Sequence, residues 1–234
     1  MGDLPLTPTL SPPAGRGSHS LTGLFGGSFD PVHLGHVATA EELYRRFPFR
    51  EIRFLPAARS PLKAGASVRT DRLALLQLAL AGKQGLTVDE SELRRPAPSY
   101  SIDTLREQRA ELGPAASLVF ILGMDSFLDL PRWKDWPHLT DYAHLLVVSR
   151  PGSQPVFSPV LSAWLEKHRI TDAQSLESRP LGGVLLVETT PHAIASREIR
   201  AAIASGQDTS HWLNPAVRDY IEQHRLYSGD ADPE

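Results

Sequence analysis

Two histidines, His33 and His36, stand behind a pair of glycines in the stretch Gly26-Gly27-Ser28-Phe29-Asp30-Pro31-Val32-His33-Leu34-Gly35-His36. Glycine leaves backbone N–H groups open to close approach by an anion, and a helix start adds partial positive charge to them. Asp30-Pro31 is turn chemistry that delays the helix. If the helix has begun by Leu34, the spacing of three puts both imidazoles on one face, where they can donate to one phosphate chain. Taken singly, these features keep other readings: a Gly-Gly turn is ordinary, and a His pair can be part of a metal site or a surface pair.

The elements that must position this stretch follow from periodicity. Short apolar runs recur at Leu21 to Phe25, Ile52 to Leu55, Leu86 to Val88, Leu118 to Leu122, Leu145 to Val148 and Val184 to Val187. Between them lie helical patterns at Val37 to Phe47, Arg69 to Ala81, Ser101 to Leu112, Leu161 to His168, Ser196 to Ser205 and Pro215 to His224. Such alternation predicts an α/β fold, doubly wound, with a mostly parallel sheet and helices on both faces. Ligands in such folds bind beyond the carboxyl ends of the strands, and the glycine-histidine stretch follows the first strand.

A chain of 234 residues with 41% hydrophobic and 22% charged residues suits one substantial core. Its net charge of −3 lacks the basic excess expected of a nucleic-acid binder, so anion binding must be local. The absence of cysteine removes disulfides, thiolate nucleophiles and Cys-ligated zinc. Residues 1–20 hold four prolines and little apolar pattern, and read as a disordered tail rather than a secretory signal. Residues 21–228 form the single expected domain, and 229–234 a second tail. No run is long enough to span a bilayer, so a soluble cytoplasmic protein is expected.

The order G-G-S-F-D-P-x-H-x-G-H resembles the signature of the nucleotidylyltransferase superfamily, and its double glycine is most similar to the bacterial nicotinate mononucleotide adenylyltransferases. The resemblance extends over about residues 21 to 227 and implies a Rossmann-like fold. It implies that Gly26, Gly27, Ser28, Phe29, His33 and His36 bind ATP, with both histidines on its phosphates. The loop after the second strand resembles one that reaches the nucleotide phosphates through a cation, here Lys63; Leu62 replaces the usual histidine and Ala57-Ala58 a more polar pair. Ile194-Ala195-Ser196-Arg197-Glu198-Ile199-Arg200 is similar to the family's I-S-S-T-x-I-R, which closes on the β and γ phosphates; Ile194, Ser196 and Arg200 match, while Ala195 and Arg197 depart.

The acceptor side carries its own resemblance. Pro98-Ser99-Tyr100-Ser101 with Thr104-Leu105 is similar to a family segment whose helix start meets the nicotinate group. Its plainer reading is an N-cap region around Ser101. Gly123-Met124-Asp125-Ser126 and Pro131-Arg132-Trp133 resemble segments that put an aspartate on ribose hydroxyls and a tryptophan on the pyridine ring. Lys134 and Arg150 complete the expected acceptor set.

The resemblance thus implies adenylyl transfer from ATP to nicotinate mononucleotide, with His33, His36, Lys63 and Arg200 as the catalytic groups. Mg²⁺ would be carried mainly by the ATP phosphates, with no dedicated protein metal site. The partners implied are the two nucleotides, without nucleic acid or membrane, and with a homo-oligomer left open. Two alternatives remain: transfer to another phosphate acceptor, or a nucleotide sensor without turnover, for which Ala195 and Arg197 are the support.

Overall fold

The computed structural model describes residues 20–57, 69–95 and 99–228. Both expected tails, apart from Ser20, and the loop bearing Lys63 lie outside the described residues. Six strands form one sheet: β1 (Leu21–Gly27), β2 (Phe49–Pro56), β3 (Leu86–Val88), β4 (Ser117–Gly123), β5 (His144–Ser149) and β6 (Val184–Glu188). Every pairing is parallel and the order is β3-β2-β1-β4-β5-β6. The chain reverses its winding between β1 and β4, which opens a crevice beyond their carboxyl ends.

Among the described residues nine α-helices accompany the sheet, the last two following β6: α1 (Leu34–Arg46), α2 (Arg69–Leu80), α3 (Ser91–Arg94), α4 (Ser101–Leu112), α5 (Met124–Leu128), α6 (Pro159–His168), α7 (Gln174–Ser178), α8 (Ser196–Ala204) and α9 (Pro215–Gln223). All six apolar runs are strands and all six helical patterns are helices, with α1 opening three residues before Val37. The short α3, α5 and α7 carry too few turns for a periodic signal. The last helix has a cap that the sequence reading did not name: Asn214 Oδ1 accepts from Ala216 N at 2.9 Å with Pro215 at the first helical position.

Burial on both faces explains why the strands read as continuous apolar runs. Along β4, Val119 and Ile121 face a core shared with α1, α2, α8 and α9, while Leu118, Phe120 and Leu122 face one shared with α4, α5 and α6. β5 and β6 alternate in the same way, Leu146, Leu185 and Val187 joining the first core and Leu145, Val147, Val184 and Leu186 the second.

One polar side chain is built into this frame. Arg72 of α2 is 2% exposed. Its Nη1 donates to Ser28 O at 2.9 Å and to Ala57 O at 2.7 Å, tying the turn after β1 to the end of β2. Charge-assisted bonds of this kind contribute about 1.5–3 kcal/mol each. Arg72→Met should therefore lower the unfolding free energy by about 2–4 kcal/mol in urea denaturation, and a loss below about 1 kcal/mol would show the guanidinium to be dispensable.

Candidate active site

The crevice between β1 and β4 is where the glycine-histidine stretch lies. A Cβ on Gly26 would come within 2.9 Å of the Phe120 ring, and one on Gly27 within 2.8 Å of the Phe29 ring, so only bare backbone fits. The carbonyls of this turn are tied back into the protein. Gly27 O accepts from Ala57 N at 3.0 Å, Ser28 O from Arg72, Asp30 O from Arg200 Nη1 at 2.6 Å, and Pro31 O from Ser196 Oγ at 3.0 Å. Ser196 and Arg200, from the start of α8, are thereby brought onto the turn that the sequence places 165 or more residues earlier.

His33 is the N-cap of α1, so the helix has begun by Leu34 and the two imidazoles share a face. Their rings stack with centroids 3.6 Å apart and planes inclined by 27°. His33 N donates to His36 Nδ1 at 3.3 Å, which leaves Nε2 of a neutral His36 to carry the ring proton. Phe29 is buried with its ring 5.1 Å from that of His36, so its side chain supports the histidine from below. Burial first, and the neighbouring His192 second, push the His33 pKa down to about 4, and the ring is neutral at pH 7.

Gly26, Gly27 and Ser28 also form one side of a cleft of about 220 Å³. Tyr100, Ser101, Trp133 and Lys134 line it as well, and Leu55, Phe120 and Leu122 supply apolar surface. The N-cap of α4 is Tyr100, one residue before Ser101, and no side chain caps the helix. Its first N–H groups therefore remain available to an anion. Trp133 stands edge-on to Phe120 at 6.5 Å. Lys134 Nζ lies 4.8 Å above the Tyr100 ring and 3.0 Å from Asp103 Oδ2.

Other expected residues sit apart from this cleft. Asp125 is exposed in the first turn of α5 and outside the lining, where Ser126 and Asp129 stand instead. Arg150 is exposed beyond β5, also outside the lining. Ile194 packs against the first core, and Arg197 is exposed on α8. Lys63 lies outside the described residues.

Sequence reasoning gave no role to Glu92, which is 8% exposed and borders the cleft. Its carboxylate accepts from Ser99 Oγ and Thr104 Oγ1, both at 2.6 Å, which fixes the segment leading to Tyr100. An acid in a short polar run after β3 carries no signal by which this could be read.

This arrangement, a parallel sheet with bare backbone and imidazoles at its switch point and a cleft alongside, defines a nucleotidyltransferase. The chain belongs to the cytidylyltransferase-like family, whose sequence profile matches residues 24–202. Within it, the chain belongs to the nicotinate-nucleotide adenylyltransferases. A relative from Aeromonas salmonicida, named "probable nicotinate-nucleotide adenylyltransferase", is 43% identical over 209 residues, covering 89% of this chain and 97% of that one. One of the same name from Marinomonas sp. is 42% identical over 205 residues, covering 87% and 93%. The fold is that of the Plasmodium falciparum nicotinic acid mononucleotide adenylyltransferase complexed with NaAD, with a TM-score of 0.67, 19% identity and coverage of 89% and 98%.

The depressed His33 pKa has a stability consequence. The unfolded chain takes up this proton near the ordinary value of 6.5 and the folded chain only near 4, so the contribution is complete above pH 6.5 and is lost as pH falls toward 4. The loss should reach about 3 kcal/mol. His144, buried and also depressed, adds in the same sense, so the measurement is the difference between the parent and His33→Asn. The variant's unfolding free energy should fall less steeply across this window, and parallel curves would place the effect elsewhere.

Proposed function

We propose that this protein transfers the adenylyl group of ATP to nicotinate mononucleotide, giving nicotinate adenine dinucleotide and pyrophosphate, as a cytoplasmic step of NAD biosynthesis. The observation that carries the reading is that Gly26–Ser28 serves two places at once. It walls the cleft beside Tyr100, Ser101, Trp133 and Lys134, and it leads directly into the helix start bearing His33 and His36. A nucleotide in the cleft and a triphosphate on the helix start would meet at this one bare segment.

In that reaction an oxygen of the acceptor's 5′-phosphate attacks the α-phosphorus of ATP, the bond from that phosphorus to the bridging β-phosphate oxygen breaks, and pyrophosphate leaves. The nucleophile is already an anion at neutral pH, so a general base would contribute little. The imidazoles instead donate to phosphate oxygens, and alignment and charge stabilisation supply the rate. Arg200 and Lys63 provide positive charge for the leaving pyrophosphate, and the uncapped start of α4 receives the nicotinate carboxylate.

Among the described residues no three His, Asp or Glu side chains gather as a metal site. The turn's one carboxylate, Asp30, is buried and accepts from Tyr227 Oη, and with the amides, imidazoles and guanidinium around it is not a donor set that holds Mg²⁺ by itself. The ion is therefore assigned to the ATP phosphates and water, and no step is routed through it.

The direct test is incubation with ATP, Mg²⁺ and candidate phosphate acceptors while pyrophosphate is followed. Turnover with nicotinate mononucleotide is expected; turnover only with another acceptor, or ATP binding without any turnover, would replace this reading with one of its alternatives. His36→Ala should reduce turnover about 10²–10³-fold, and activity within about threefold of the parent would sink the role given to the motif. Lys134→Ala should lower the preference for the acid over the amide nucleotide by about two- to fivefold. An unchanged ratio would assign Lys134 to solvent.

A further inference from the structure

The cleft beside Gly26–Ser28 holds one charge that its neighbours do not balance. Of the charged side chains lining it, Lys134 pairs with Asp103 at 3.0 Å and Asp129 with Arg132 at 3.5 Å, whereas Glu92 has no ion pair among the described residues. Arg95, three residues on, does not supply one: its Nη2 donates to Thr104 Oγ1 at 2.8 Å and lies 3.2 Å from Glu107 Oε2. Glu92 accepts instead from two neutral hydroxyls, Oε2 from Ser99 and Oε1 from Thr104.

At 8% exposure this arrangement is expensive, because neutral donors return only part of a carboxylate's hydration and an opposite charge returns more. A cationic ligand in the cleft would supply that charge. The rest of the lining suits a flat cation: Trp133 and Phe120 offer aromatic surface, and an indole face attracts positive charge. In nicotinate mononucleotide the ring nitrogen carries the ribose as a quaternary centre, so the ring is a pyridinium cation while its carboxylate is an anion. These two charges need opposite partners in one cleft. The uncapped start of α4 and Lys134 serve the anion. Glu92 borders the same space, held by the Ser99 and Thr104 hydroxyls on either side of Tyr100 and Ser101.

We propose that Glu92 is the counter-charge of the pyridinium ring, and so a specificity-determining residue for acceptors whose base is cationic. The role rests on the reading that this cleft takes nicotinate mononucleotide. It selects against nucleotides of the same shape with an uncharged ring, which the start of α4 cannot tell apart.

The probes are two acceptors: nicotinate mononucleotide and its C-nucleotide isostere, in which the ribose is joined through carbon and the pyridine ring is neutral. Binding of each is titrated directly, and turnover with ATP gives KM. The parent should bind the pyridinium nucleotide about tenfold more tightly than the isostere. Glu92→Gln keeps the shape and removes the charge. It should reduce that preference to within about threefold and leave KM for ATP within about twofold of the parent. Ser99→Ala removes one hydrogen bond but keeps the charge, and it should retain the preference. If Glu92 only holds the loop, Glu92→Gln weakens both acceptors equally and the ratio stands, which would overturn the proposal. A parent that binds the two acceptors alike would overturn it as well, without recourse to any variant. If the parent binds nicotinate mononucleotide but does not turn it over, the proposed function falls, while the ratio of the two titrations still decides the role of Glu92.

Discussion

A turn that is to present its amides to an anion must have its carbonyls turned away, and in this protein that requirement organises the surroundings of β1. Gly27 O is held by Ala57 N, Ser28 O by Arg72, Asp30 O by Arg200 and Pro31 O by Ser196. The donors come from the end of β2 and from helices α2 and α8. Each element therefore has to be packed before the turn can take its shape. Because Arg72 and Arg200 bring positive charge with their hydrogen bonds, the groups that fix the geometry also favour the negative ligand.

The same economy governs the histidines. His33 ends the turn and caps α1, its burial keeps it neutral, and its backbone N–H fixes the orientation of His36. Phe29 fills the space beneath. The ring nearest solvent is thus held by two neighbours that are themselves parts of the core, which is the preorganisation that electrostatic catalysis needs. Along the cleft Glu92 plays the corresponding part, its carboxylate gathering Ser99 and Thr104 around the uncapped start of α4.

Much of this was legible because the signals are local. The apolar runs of β4, β5 and β6 had to be strands buried on both faces, and the pattern from Pro215 had to be a helix. The glycines at 26 and 27 were readable as backbone that must stay bare; the structure makes them the last two residues of β1 rather than a turn, crowded by the rings of Phe120 and Phe29. The gathering of Tyr100, Ser101, Trp133 and Lys134 on one cleft was legible, whereas Asp125 stands in an exposed turn and Ser126 and Asp129 line the cleft. A helix as short as α5 has no periodicity from which its inward side could be read.

By itself the sequence determined the alternation of strands and helices and the family, both of which depend on residue types at fixed short spacings. Tertiary structure alone decided which side chains serve the turn after β1. Arg72 reaches Ser28 across 44 residues, Arg200 reaches Asp30 across 170, and Tyr227 reaches Asp30 across 197. Hydrogen bonds of that span leave no mark in local pattern, since an arginine that clamps a carbonyl and one that faces water are the same letter; only the packing of the parallel sheet brings the partners within 3 Å.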